Sequence, residues 1–83
     1  MKALTQYGLL AEQFWRKHLP QMTSQLETKG QLKEALKEAE ERTVQELHDL
    51  RQHFQTQGLT PEQAQQRAWE IVSQRYIFLR PEN

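Results

Sequence analysis

Cysteine is absent from the 83 residues, so no disulfide, thiol nucleophile or zinc–thiolate site can be built from them. Long apolar runs are missing too. The longest, as at Leu9-Leu10-Ala11 and Ile77-Phe78-Leu79, have three or four residues, far short of the roughly 20 that a membrane-spanning helix needs. The start, Met1-Lys2-Ala3-Leu4, has no apolar leader with a cleavage site. A cytoplasmic setting is the expectation, with no membrane contact. Net charge is zero, eleven bases against eleven acids, where a generic nucleic-acid binder carries a basic excess or stripe. Glycine and proline number three each, so the few present act as punctuation.

What remains is a helix-favouring mixture of Gln, Glu, Leu and Ala. The charge is unevenly placed. Residues 1–33 hold five bases and two acids, residues 34–50 six acids and two bases, and the rest is nearly balanced. Such asymmetry suits pairing between subunits or with a partner, and equally a solvated helix face. The chain is long enough for one domain, 1–83, and short enough that its core alone gives marginal stability. Without cysteine or a metal site, a partner subunit is the expected support.

The first segment, about 3–29, has Leu4, Tyr7, Ala11, Phe14, Trp15, His18, Leu19, Met22 and Leu26 at steps that draw one helical stripe. Pro20 interrupts it, because proline lacks an N–H and disfavours α backbone at Leu19. The stripe keeps its phase across the proline, so a kink or a very tight break is expected there. Gly30 ends the segment as a left-handed cap. The second helix, about 31–57, carries Leu32, Leu36, Ala39, Thr43, Leu47, Leu50 and Phe54 at steps of four or three. Its heptad phase slips between Thr43 and Leu47, against a regular coiled coil. A helix of about 40 Å is longer than one short neighbour covers, so its stripe asks for the N-terminal segment or a second subunit.

Gly58 closes that helix, and Thr60-Pro61-Glu62-Gln63 opens a third, about 61–77. Thr60 fits the N-cap, Pro61 the first turn, and Gln63 completes a capping box. Tyr76-Ile77-Phe78-Leu79 has strand-like composition, so the tail 78–83 is either a fraying helix end or an extended piece that docks elsewhere; Pro81 stops any helix. The fold expected is all-α, a helical hairpin or three-helix arrangement with a long central helix and a kink or break near Pro20.

No catalytic, cofactor or metal site is expected. His18, His48 and His53 lack the i,i+3 or i,i+4 spacing of a helical ligand pair. Glu38, Glu40, Glu41 and Glu46 read as a solvated face. Ser24 and Ser73 stand outside any Gly-x-Ser-x-Gly turn. Core or interface roles fall to Phe14, Trp15, Leu32, Leu36, Leu47, Leu50, Phe54, Trp69, Tyr76 and Phe78, aromatic residues being enriched at contact surfaces. The function expected is a small non-catalytic interaction or regulatory protein, homodimeric, binding a protein partner. The alternative is a nucleic-acid-associated accessory protein using Arg16, Lys17, Lys29 and Lys33.

Tyr7-Gly8-Leu9, His18-Leu19-Pro20, Gly30-Gln31-Leu32 with Leu36, and Gly58-Leu59-Thr60 followed by Trp69 together resemble the TnpV family of small transposon-encoded proteins. The likeness is one of scattered positions over most of the chain. It departs at Met22-Thr23-Ser24, where that family has Tyr and further Leu residues, and at Glu70-Ile71-Val72, where it is basic. The resemblance implies a mobile-element or similar accessory context and carries no site residue across.

Overall fold

Pro20, Gly30, Gly58 and Pro61 each mark a helix boundary in the fold, whereas Gly8 lies inside the first helix. The computed structural model describes residues 4–82, so the expected helix start at residue 3 and the last tail residue lie outside the described part. Four helices run in order: α1 (Gln6–His18), α2 (Pro20–Thr28), α3 (Leu32–Thr56) and α4 (Pro61–Tyr76). The architecture is all-α with a long central helix, and no strand occurs among the described residues.

At Pro20 the chain breaks rather than bends. Leu19 leaves the helical region (φ −131°, ψ 54°) while its N–H still reaches the Trp15 carbonyl, and Pro20 begins α2 at its first position. At Gly30 and Gly58 the backbone turns left-handed, with φ of 68° and 102°. Both close a Schellman motif: Gly30 and Gln31 donate to Glu27 and Leu26, and Gly58 and Leu59 donate to Gln55 and Phe54. The Thr60–Gln63 capping box forms with both of its reciprocal bonds, at 3.1 and 3.2 Å.

Of the two covers expected for the stripe of α3, the N-terminal segment serves, joined by α4; Leu50 and Phe54 at its far end are half-buried. Leu32, Leu36, Ala39, Thr43 and Leu47 are all buried. The reason is division of labour: α1 and α2 pack on its first half with the segment after α4, and α4 returns antiparallel along the second. Thr43, at 0% exposure, fits this apolar line because its hydroxyl donates to the Ala39 carbonyl one turn back.

Residues 77–82 are non-helical and form a strap that docks on the α1–α2 junction. Ile77 is buried, and its carbonyl accepts from the Trp15 indole at 3.0 Å. The Glu82 N–H donates to the His18 carbonyl, and its carboxylate accepts from Gln21 N and Met22 N at 3.0 and 2.9 Å. A side chain 60 residues away thus caps the N-terminus of α2, where exposed N–H groups and the helix dipole favour negative charge.

The Cα envelope measures 46 × 34 × 14 Å. Helix axes pack about 8–10 Å apart and each helix has a Cα radius near 2.3 Å, so 14 Å is about two helices deep. The radius of gyration is 14.3 Å, against roughly 12 Å for a compact chain of this length. The molecule is a thin plate, and among the described residues no third layer covers either side.

Candidate interaction surface

The aromatic residues form a row that ties α1, α4 and the strap together. Tyr7 and Trp69 lie 5.6 Å apart between ring centres, Trp69 and Phe78 meet edge to face at 6.2 Å, and Phe78 meets Phe14 the same way at 5.2 Å. His18 closes the row against Phe14 at 4.5 Å. Such offset and T-shaped contacts match the charge distribution of the rings. The row is half-buried, so it has an inner edge on the core and an outer edge on the surface.

Trp69 stands between two grooves. One of about 490 Å³ lies between α1 and α4, lined by Gln6, Tyr7, Leu9, Leu10, Gln13, Gln65 and Trp69. No charged side chain lines it among the described residues. Leu9 is 49% exposed beside it. The second groove, of about 740 Å³, runs between α3 and α4, with His48, Arg51, Gln52, Gln55 and Glu62 on its walls. Gln65 and Trp69 belong to both. The Oε1 of Gln65 is buried and has no hydrogen-bond donor.

The sequence-selected residues divide by this geometry. Trp15, Leu32, Leu36 and Leu47 are buried. Phe14, Leu50, Phe54, Trp69, Tyr76 and Phe78 are half-buried, and only Trp69 of these lines the grooves beside it. Leu9, Leu10 and the flanking glutamines were missed. Two adjacent leucines on one helix point about 100° apart, so both cannot join one narrow stripe, and that was the available signal.

The four glutamates expected on a solvated face separate. Glu38 and Glu41 are exposed, Glu38 pairing with Arg42 at 3.1 Å. Glu40 is 9% exposed, and its Oε2 accepts from both the N–H and the hydroxyl of Thr5 at 2.7 Å. It caps α1 from another helix, because the start of α1 lies over α3 there. Gly8 permits the approach: a Cβ at that position would sit 2.5 Å from Glu40 Oε2. Glu46 joins α3 to α4, accepting from Arg75 Nη1 at 2.8 Å and from the Tyr76 hydroxyl. The Tyr76 hydroxyl, with help from Arg75, holds the Glu46 carboxyl below its ordinary value, and the same bond pushes the Tyr76 phenol up.

Of the basic residues, Arg16 is shared by Glu12 and Glu27 at 3.0 and 3.1 Å, bridging α1 and α2. These two carboxylates hold the guanidinium more firmly protonated. Lys17, Lys29 and Lys33 are exposed, and Lys33 lines a groove with Arg16, Glu12 and Glu27. Among the described residues no three His, Asp or Glu side chains gather to hold a metal ion, and no helix is long and apolar enough to cross a membrane.

Compared with protein-family models, curated proteins and solved structures, the chain matches none.

Proposed function

We propose that this chain is a small non-catalytic interaction protein of the cytoplasm that works as a homodimer and holds a protein partner. The observation that carries this reading is the ratio of surface to mass. A compact protein of 9.9 kDa exposes about 5,200 Å², whereas this chain exposes 6054 Å². The excess, roughly 850 Å², is close to the 800 Å² or so that each partner buries in a standard interface. A two-layer plate with an exposed leucine and a half-exposed aromatic row gains a third layer by association. The α3–α4 groove, with its mixed lining of His48, Arg51, Glu62 and glutamines, supports a second, more polar contact with a different protein.

The nucleic-acid alternative has less behind it. Arg16 is already engaged by two carboxylates, and the groove it shares with Lys33 carries those same acids. A mobile-element setting, which the TnpV resemblance implies, is compatible with either reading. Sedimentation equilibrium at micromolar concentration tests the first. A mass of twice the chain is expected; a folded monomer throughout that range refutes the homodimer.

A further inference from the structure

We infer that the homodimer forms through the uncharged groove between α1 and α4, with a second copy of this chain as its occupant. The inference rests on the homodimer reading above and specifies its surface. In a two-fold dimer the same patch meets itself, so residues near the axis face their own kind. A charged patch repels its copy there. In a chain of which 27% of residues are charged, the groove holding Leu9, Leu10 and Trp69 is lined by none among the described residues. Its polar members are Gln6, Gln13 and Gln65. A primary amide is donor and acceptor at once, so glutamines can pair with glutamines across an axis.

The anatomy also agrees with a contact surface: leucines and an indole with amides around them. The exposed large apolar residue of α4, Ile71, sits two positions from Trp69 and hence about 200° around the helix, on a different side, and Val44, also exposed, lines neither groove beside Trp69.

Leu9→Glu separates these possibilities. Leu9 is 49% exposed in the first turn of a helix, where glutamate is a good helix former and suits the dipole, so the fold is retained. In the dimer the two introduced carboxylates face an apolar patch, and self-association weakens by about a hundredfold or more. Far-ultraviolet circular dichroism of L9E should match the wild type while sedimentation equilibrium reports a monomer. Ile71→Glu should remain a dimer. If L9E loses its helical signal, Gln13→Glu, an exposed change on the same wall, takes its place with the same expected outcome. If the wild type is a dimer, and the folded face variant associates equally well, this surface is wrong while the homodimer stands. A wild type that stays monomeric overturns both.

Discussion

Gly8 and Glu40 make one device out of two residues 32 positions apart in sequence. The glycine lets the carboxylate reach the first turn of α1, where it accepts two bonds from Thr5. Alanine at an ordinary helical site is better than glycine by about 1 kcal/mol. Here Gly8→Ala is expected to lower the thermal midpoint, because the new Cβ displaces a charged acceptor whose hydrogen bonds contribute about 1.5–3 kcal/mol. In a Glu40→Ala background the carboxylate is gone and the nearest atoms are those of Leu4 at 3.1 Å, so the same change should cost much less. A double-mutant cycle followed by thermal denaturation reads this difference; an equal Gly8→Ala effect in both backgrounds would sink the assignment. The glycine was legible in the sequence as a residue but not as a need. Nothing local to Gly8 or Glu40 says that α1 crosses α3 between them, so the glutamate reads like its exposed neighbours Glu38 and Glu41.

Between elements, two carboxylates secure junctions that apolar packing leaves loose. Glu82 holds the strap to the N-terminus of α2. Glu82→Gln keeps the shape and removes the charge, and should weaken the junction by about 1 kcal/mol. For a chain of this size that is a fall of roughly 4–8 °C in midpoint; an unchanged midpoint would show that the strap bears no load. Glu46 is the second, between α3 and α4. Its folded value lies below the ordinary 4.5, first because of the Tyr76 hydroxyl. A carboxyl depressed on folding contributes stability above its unfolded value and loses it as the pH falls through the folded one. Wild type should therefore lose more stability than Glu46→Gln between neutrality and pH below 4.5, as measured by midpoints across that range. Equal slopes would remove Glu46 from the account. The helix ends themselves were legible, since proline, glycine and the Thr60 box act within a few residues. The destination of the tail was not. Tyr76-Ile77-Phe78-Leu79 has strand-like composition, yet it serves as a docking strap, because Trp15 offers an indole N–H and α2 offers unpaired amides.

At the scale of the whole molecule, thinness is the property with consequences. A plate 14 Å deep leaves every helix with a flank toward solvent, so part of its apolar content stays outside. An interface built on the neutral α1–α4 groove should be nearly insensitive to salt, since screening acts on charges. Light scattering of the dimer at low and high ionic strength checks this, and dissociation on adding salt would point instead to the charged flanks. The length of the central helix is by itself no reason for a dimer, since α1 and α4 cover its stripe from opposite ends. The exposed apolar residues lie elsewhere: Leu9 on α1, Val44 on the other side of α3, and Ile71 on α4. By itself the sequence determined the helical class, the breaks at Pro20, Gly30 and Gly58, and the buried line from Leu32 to Leu47. These follow from backbone geometry and from periodicity, which act over a turn or two. Only the tertiary structure decided that Leu9 faces outward, that Glu40 and Glu82 become caps, and that the assembled layers stop at two. Each depends on where helices cross, and a crossing is set jointly by side chains from distant parts of the chain.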